Sequence, residues 1–425
     1  MKKISALFVI LTLVFSLSAG VLAETPVTRI VFWHSMNEEA GVLLEKYVKD
    51  FNDTVGAQLG IEAEAVYQGS YAQATQKLNA ILQAGNFAEL PDVMQMDATG
   101  KVAYFTSGKA YTVDDLLRDK PDTDVSGLLG AAMGNWNYTG VQLGVPFATS
   151  TTVTYYNKTV LGEAAPETFA DISAVTAPEG TVVYATVPNT PTLANWLGQL
   201  GSYVVNNKNG SEGSADELAC IENGALETFL TEWKALYQSG ALQNYAGSTD
   251  EFVAGKLLIM TSSSSKVTSL LASIGGSFEL GVSVYPKVNA DAAFGATVSG
   301  SCLVMFDTGK QEAAWALESY LTSADVQADF AVGTGYIPSN SGALETEAWK
   351  QLVAAQPAYN VGLEQLMATP ADMRSVTVGP SADFYYAIQD CVSEMLDSDL
   401  TPEETVEMME DELGGLLTQY AMANP

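Results

Sequence analysis

Short apolar runs and segments of helical periodicity alternate along the first third of the chain. Residues 28–32, 61–67 and 91–97 are apolar runs that predict buried strands. Apolar positions recur at helical spacing over residues 42–51 and 78–82, which follow the first two of these runs. The order of strand, loop and helix predicts an α/β lobe, in which ligands bind beyond the carboxyl ends of the strands.

A second group of elements begins at residue 146. The stretch 146–158 (PFATSTTVTYYNK) passes from small hydroxyl residues into a β-branched and aromatic strand. Further strands are predicted over 182–186 and 257–260, and helices over 225–239 and 382–396. Because 425 residues exceed the size of one ordinary core, the pattern predicts two α/β domains.

The amino terminus has the pattern of a cleavable export signal. Lys2 and Lys3 precede an apolar run over 4–15, and small residues end the segment at Val21-Leu22-Ala23. The run is shorter than the roughly 20 residues of a membrane-spanning helix, which disfavours the alternative of a retained anchor. Since no cysteine lies near the cleavage point, we expect a freely soluble periplasmic or secreted protein.

Composition and charge exclude several classes of function. The chain has 50 acidic and 19 basic residues, so nucleic acid and anionic membranes would be repelled. Its one histidine, His34, excludes a histidine-rich metal site, and we expect no cofactor. Cys220, Cys302 and Cys391 allow at most one disulfide, and buried free thiols are the favoured state.

Four motifs resemble the extracellular solute-binding proteins of ABC importers (family 1), most of all the glycerol-3-phosphate and sugar-binding type. They are FWHSM (32–36), PFATST with YYNK (146–158), the serine run TSSSSK (261–266) and TGYIP (334–338). The resemblance spans nearly all of the chain after the export signal.

The resemblance implies an α/β fold of two lobes, the type II or maltose-binding-protein-like form of the periplasmic binding proteins. Three interlobe crossings would fall near 146–151, 287–293 and 339–343. After a signal peptide of residues 1–23, the N-terminal lobe would comprise 24–147 and 291–340, and the C-terminal lobe 148–290 and 341–425.

The resemblance also implies a solute site between the lobes. Its candidates are Tyr71, Asp97, Ser150, Ser264, Gly300, Tyr336 and Tyr385, with His34 and Trp196 as weaker candidates. A phenol offers a face for a sugar ring and a hydroxyl for a hydrogen bond, and a carboxylate can accept two hydroxyls. Structural alternatives stay open: Tyr71 packed on its own helix, Asp97 as a helix cap, His34 as a structural residue and Trp196 as a core residue.

Two departures from the glycerol-phosphate binders bear on the solute. Residues 187–191 (VPNTP) stand where those binders have a tryptophan pair. Tyr385 occupies the position of their phosphate-binding arginine, and Arg374 is the last arginine of the chain. Because a buried phosphate without a partner is unfavourable, these departures favour a neutral sugar or polyol over a glycerol-phosphate ester.

The predicted function is therefore capture of a carbohydrate or polyol by hinge closure and its delivery to the transmembrane subunits of an ABC permease. We expect a monomer that is not an enzyme. Two alternatives stay open: a binder of glycerol-3-phosphate or a glycerophosphodiester, and a secreted hydrolase of carbohydrates. Ser263 and Lys266 fit the spacing S-x-x-K, but no SDN or KTG follows, so a penicillin-interacting enzyme is disfavoured.

Overall fold

A computed structural model describes residues 27–423 of the chain, so the expected export signal over 1–23 lies outside the described residues. The strands are β1 (Thr28–His34), β2 (Ile61–Tyr67), β3 (Val93–Met96), β4 (Ala110–Tyr111), β5 (Asn137–Tyr138), β6 (Val141–Gln142), β7 (Val145–Asn157), β8 (Val182–Ala185), β9 (Leu242–Gln243), β10 (Leu257–Ser263), β11 (Leu280–Ser283) and β12 (Val298–Phe306).

Helices connect most of these strands. They are α1 (Glu38–Phe51), α2 (Ala57–Leu59), α3 (Tyr71–Ala84), α4 (Lys101–Thr106), α5 (Val113–Asp119), α6 (Gly130–Gly134), α7 (Lys158–Leu161), α8 (Phe169–Ser173), α9 (Thr190–Gln199), α10 (Asn206–Gly210), α11 (Ala225–Gln238), α12 (Thr249–Val253), α13 (Val267–Ile274), α14 (Gln311–Leu321), α15 (Ala324–Thr334), α16 (Glu347–Ala355), α17 (Ala358–Ala368), α18 (Ser381–Asp397) and α19 (Pro402–Ala423). Within residues 27–423, no helix combines the length and the apolarity that crossing a bilayer requires.

One long strand, β7, joins two sheets. In the first sheet the order is β2-β1-β3-β12, with β1 parallel to β2 and β3 and with β12 antiparallel to β3. The first half of β7 pairs with β12, and its second half lies between β10 and β11, beyond which β8 and β9 follow. The chain therefore forms two lobes whose sheets share a strand.

Each lobe has its own hydrophobic core on both faces of its sheet. In the first lobe, α1, α14 and α15 pack on one face and α3 and α4 on the other. In the second lobe, α8, α9, α11, α18 and α19 enclose one core, and α12 and α13 pack on the other face. Helices on both faces of a sheet are the arrangement that the alternating strand and helix pattern predicted. Cys220, Cys302 and Cys391 are buried and unpaired.

The second passage between the lobes lies later in the chain than the predicted 287–293. Ala292 and Ala296 are buried in the core of the second lobe. Gln199 of that lobe holds the intervening backbone, since its side chain accepts from Val288 N at 3.1 Å and its carbonyl from Ala293 N at 2.7 Å. Residues 291–296 therefore pack with the second lobe, and the chain reaches the first lobe only along β12.

The third passage also lies later than the predicted 339–343. The backbone N of Ser341 donates to Gly127 O in the first lobe at 2.8 Å, and α16 packs against α15 of that lobe. The following helix, α17, packs on β7 and β11 of the second lobe. The packing thus puts residues 341–355 with the first lobe and the passage near 356–358.

A buried carboxyl, Glu318, lies on α14 under the first sheet. Its side chain is 0% exposed, and neither carboxyl oxygen has a hydrogen-bond partner among residues 27–423. Burial raises the pKa of Glu318 to about 8, because the ionised form loses its hydration without a compensating partner. The folded protein therefore holds this carboxyl in its protonated form at neutral pH.

We expect Glu318→Gln to remove a pH dependence of stability. A carboxyl whose folded pKa is raised contributes its full stability below its unfolded pKa of about 4.5, and that stability is lost as pH rises through about 8. Relative to the parent protein, the variant should gain about 2 to 4 kcal/mol in free energy of unfolding between pH 5 and pH 8.5, measured in urea at several pH values. Glu312→Gln, on the exposed side of the same helix, is the matched control. An equal pH dependence in the parent and Glu318→Gln would contradict this account.

Candidate functional site

A buried carboxamide, Gln95, organises the polar groups at the carboxyl ends of the first-lobe strands. Its Nε2 donates to Tyr71 Oη at 3.0 Å and to Ser301 Oγ at 2.8 Å, and its Oε1 accepts from Ser35 N at 3.0 Å. One side chain thus ties the end of β1, the start of α3 and the middle of β12 to β3. Sequence reasoning missed Gln95 and Ser301, although a polar residue inside the apolar strand VMQM was a usable signal.

Tyr71 is held in place by the capping of α3. Ser70 caps the helix in a reciprocal capping box with Gln73, and Tyr71 is the first helical residue. Burial raises the pKa of Tyr71, with further upward contributions from Tyr336 and Asp97. Tyr71, Asp97 and Tyr336, all predicted site residues, therefore lie within electrostatic reach of one another.

Asp97 caps the short 3-10 turn 98–100. Its Oδ1 accepts from Thr99 N at 3.2 Å and from Thr99 Oγ1 at 2.6 Å, which is the structural alternative that the sequence left open. Burial raises the pKa of Asp97, and the bonds from Thr99 oppose that rise. Only one carboxylate oxygen is used by the cap, so the other is available to a ligand hydroxyl.

Tyr336 joins the two lobes. Its ring stacks on Phe330 of the first lobe with centroids 5.5 Å apart and planes 10° apart. Burial raises the pKa of the Tyr336 phenol, and a hydrogen bond from Ser265 of the second lobe opposes that rise. The next residue, Ile337, donates its backbone N–H to Thr149 O at 2.8 Å. The phenol is thus fixed where both lobes meet β7.

The second-lobe wall is built on the serine run after β10. Ser264 Oγ accepts from Thr151 N at 3.3 Å, and the Tyr155 hydroxyl donates to Ser263 O at 2.8 Å and Ser264 O at 3.0 Å. Ser150, one residue before Thr151, is buried in β7 opposite Ser299 of β12. Ser150 and Ser264 therefore occupy adjacent positions beside the shared strand.

Gly300, a predicted site residue, lies where β12 packs closely against β7. Its φ is +101°, and a Cβ there would lie 1.9 Å from Ala148 O. The register of β12 against β7 also shifts between Ser301 and Cys302, so this is a bulged stretch where two backbones approach closely. Gly300 lies beside Ser301, which the Gln95 carboxamide contacts.

Two cations lie beside this polar group. Lys101, the first residue of α4, is 2% exposed, and its ammonium lies 5.3 Å from the centre of the Trp136 ring. Burial, together with the charge of Arg374 and against the opposing effects of Cys302 and Asp97, lowers the pKa of Lys101 to about 8. Arg374 reaches across from the second lobe and donates from Nη1 to Gly134 O at 3.3 Å, while its buried Nε has no partner within the described chain. The sequence analysis singled out Arg374 only as the last arginine, and it missed Lys101.

Trp196, the weaker tryptophan candidate, is a core residue. It is fully buried, stacked on Phe229 at 5.3 Å and on Tyr285 at 5.4 Å between ring centroids. These rings belong to the core of the second lobe, so Trp196 does not replace the missing tryptophan pair at a binding surface. The structural alternative given by the sequence accounts for this residue.

His34 and Tyr385 have contacts of their own. His34 is buried between the rings of Phe32 and Tyr67, and burial lowers its pKa, which favours the neutral imidazole. Tyr385 lies on α18, where its hydroxyl accepts from Asn189 Nδ2 at 3.4 Å and its ring packs on Tyr386. The contacts of both residues are therefore separate from the Tyr71 and Tyr336 group.

Two α/β lobes that share a strand, with hydroxyls, phenols and an amide between them, define a two-lobed ligand-binding protein. Residues 46–357 match the profile of the family described as bacterial extracellular solute-binding protein. The chain belongs to this family, whose members are the substrate-binding proteins of ABC importers.

Relatives with assigned names cover most of the chain. The sn-glycerol-3-phosphate-binding periplasmic protein UgpB of Yersinia pestis bv. Antiqua (strain Antiqua) is 25% identical over 386 residues, which are 85% of this chain and 84% of the relative. The protein of the same name from Agrobacterium fabrum is 24% identical over 373 residues, 81% of each chain.

Solved structures share the fold. The cyclic α-maltosyl-1,6-maltose binding protein of Arthrobacter globiformis has a TM-score of 0.76 at 19% identity, covering 93% of this chain and 100% of that chain. UgpB of Mycobacterium tuberculosis in complex with glycerophosphocholine has a TM-score of 0.73 at 18% identity, covering 93% and 99%. The sugar-binding protein MalE of Xanthomonas citri has a TM-score of 0.74, with 18% identity and coverage of 93% and 99%. The two-lobed, maltose-binding-protein-like fold expected from the sequence is confirmed.

We expect Tyr336→Ala to weaken solute binding at least tenfold, or about 1.4 kcal/mol. The change removes the ring that stacks on Phe330 and the phenol that contacts Ser265, so one group between the lobes is lost. Isothermal titration calorimetry with the solute that raises the melting temperature measures the effect. Tyr386→Ala, at an exposed tyrosine of α18, is the control. Equal affinity in Tyr336→Ala and the parent would remove Tyr336 from the site.

Proposed function

We propose that this protein captures a carbohydrate or polyol-type solute in the cleft between its lobes and delivers it, unchanged, to an ABC permease. The observation that carries the proposal is the hydrogen-bonded set of Gln95, Tyr71 and Ser301, which lies beside Tyr336 and the serine run. Amide, phenol and hydroxyl groups supply donors and acceptors without net charge, which suits a polyhydroxylated ligand. Two solved structures of the same fold, named a cyclic α-maltosyl-1,6-maltose binding protein and a sugar-binding protein, support this class of solute.

The proposed mechanism is differential binding to two conformations. A solute that contacts Gln95 and Tyr71 in one lobe and Ser264 in the other stabilises the closed form over the open form. Tyr336 takes part from the meeting point of the lobes. A solute that touched one lobe alone would bind without shifting the equilibrium.

A second candidate solute is a phosphorylated polyol, such as sn-glycerol 3-phosphate or a glycerophosphodiester. The missing family arginine argued against phosphate, but the folded chain brings Lys101 and Arg374 close to each other beside one carboxylate, Asp97. Two cations that repel each other are relieved by an anion between them. The names of the glycerol-3-phosphate and glycerophosphocholine binders favour the same class.

The remaining parts of the proposal concern the setting of the protein. We propose an exported monomer, freed from its signal peptide, that acts with the transmembrane subunits of a permease. The formal net charge of −31 supports solubility outside the cell. A hydrolytic role would require turnover of a bound oligosaccharide, so product analysis after incubation with maltooligosaccharides tests that alternative.

A thermal-shift panel tests the solute class. We expect stabilisation by a neutral sugar or polyol, and a ligand at about 100 times its Kd should add about 2.7 kcal/mol to stability. The panel includes maltose, ribitol, sn-glycerol 3-phosphate and glycerophosphocholine. If no sugar, polyol or phosphoester in a broad panel stabilises the protein, the proposed solute class is wrong.

We expect Lys101→Met to separate the two solute classes. Loss of the ammonium should weaken binding of a phosphoester at least tenfold, because the phosphate would lose one of its two cations. Binding of a neutral sugar should change by less than about threefold, since neither hydroxyl nor ring contacts require the charge. Calorimetry gives the affinities, with Lys256→Met at an exposed lysine as the control. Equal losses for both solute classes would contradict the assignment of Lys101 to a phosphate.

A further inference from the structure

The segment Asn207–Gly210 winds in the left-handed sense. The φ angles are +52°, +51° and +59° at Asn207, Lys208 and Asn209, and +72° at Gly210. Residues other than glycine rarely adopt this conformation, and then as single residues, because Cβ approaches the following carbonyl oxygen. The polar, glycine-containing stretch 206–214 has the composition of a surface loop, yet Asn209 is 1% exposed and Gly210 is buried. Unfavourable backbone that persists in a fold is held by its surroundings and concentrates at functional sites.

The Asn209 side chain holds this left-handed turn. Its Oδ1 accepts from Val204 N at 2.7 Å and from Val205 N at 3.2 Å, which anchors the turn to the second lobe. Its Nδ2 donates to Arg374 O at 2.7 Å, and its backbone carbonyl accepts from Thr377 N at 2.8 Å. The turn therefore fixes the segment that carries Arg374.

Gly210 completes that contact. A Cβ at this position would lie 2.0 Å from the carbonyl oxygen of Thr377, so the turn and the segment 374–377 approach more closely than any other residue would allow. The backbone from the Arg374 carbonyl to Thr377 is thus positioned by a turn that lies more than 160 residues earlier in the chain.

The opposite side of the turn contacts the first lobe. Ser211 O accepts from Thr139 N at 2.8 Å, and Thr139 lies at the tip of the hairpin formed by β5 and β6. Thr139 and Gly140 have φ angles of +50° and +82°, which is the backbone of a two-residue hairpin loop that asparagine and glycine normally occupy. Arg374 Nη1 reaches the same lobe at Gly134 O. Two hydrogen bonds, one to Ser211 of the turn and one from Arg374 of the segment it holds, therefore end on backbone atoms of the first lobe.

We propose that the left-handed turn and the hairpin tip at Thr139 form an interlobe clasp, and that Asn209 is its positioning residue. The clasp is engaged when the lobes are together and is released when they part. Both of its bonds end on backbone atoms of the first lobe, so it adds stability to the closed form beyond what the solute contacts supply. It rests on the proposed hinge closure, and it assigns Asn209 the role of holding the Ser211 carbonyl and Arg374 at the required positions.

A disulfide between the two halves tests the clasp without any solute. In the double variant Thr139→Cys with Ser211→Cys, the backbone contact brings the two residues within the range that a disulfide spans. We expect the bond to form under mild oxidation, and small-angle scattering of the solute-free protein should give a smaller radius of gyration oxidised than reduced. The single variant Thr139→Cys controls for the three native cysteines.

Two results would overturn the clasp. Failure of the disulfide to form would show that the lobes do not meet there, and an unchanged radius of gyration would show that they do not part there. Because no solute is added, either result is distinct from an error in the proposed solute class, which the thermal-shift panel reports separately.

The role of Asn209 is tested by Asn209→Asp in the same cysteine pair. Aspartate keeps the acceptor for Val204 N and Val205 N, but it loses the donor to Arg374 O and puts a negative charge against that carbonyl. We expect disulfide formation to slow at least about tenfold at a temperature well below the unfolding transition of the variant. Asn223→Asp, at an exposed asparagine of the second lobe whose side chain accepts from Ala225 N, is the control and should form the bond at the parental rate. Parental rates in Asn209→Asp would refute the positioning role.

Discussion

The backbone pairing of β7 is the constraint on which the rest of the structure depends. Its first half bonds to β12 in one sheet, and its second half bonds to β10 and β11 in the other. A strand shared in this way gives both lobes a common, mostly buried joint, while the polar residues around Ser150 lie where the sheets diverge. The candidate site is therefore a consequence of the joint: the residues that flank β7 are those that both lobes can present to one ligand.

Polar groups near that joint are buried at a free-energy cost that their mutual contacts offset. Gln95 uses both ends of its carboxamide, because its Nε2 donates to the Tyr71 phenol and to Ser301 while its Oε1 accepts from Ser35 N. Lys101 is the exception, because its depressed pKa reflects burial near another cation rather than pairing. The neutral hydrogen bonds around Gln95 favour an uncharged sugar or polyol, whereas the buried charge of Lys101 favours a phosphoester.

The family relationship and the departures from it are compatible in physical terms. The motifs that carry the resemblance lie at the joint and at its neighbours, where backbone geometry restricts the choice of residue. The two departures lie in the second lobe outside β7, since residues 187–191 come just before α9 and Tyr385 lies on α18 and contacts Asn189. Arg374 likewise lies outside β7, and its carbonyl is held by Asn209 of the left-handed turn.

Sequence alone determined what depends on local pattern. Strand and helix periodicity gave the two α/β lobes, and the motifs around Tyr336 and Ser264 located residues at the joint because short-range turn chemistry recurs wherever the backbone makes the same turn. The tertiary structure decided the contacts between residues that lie far apart in the sequence. Gln95 bonds to groups 24 and 206 residues away, and Lys101 lies near Arg374 only in the folded chain. The later passages near 297 and 356 and the left-handed turn were likewise outside the reach of periodicity. Each of them follows from packing between segments far apart in the sequence, which no local preference encodes.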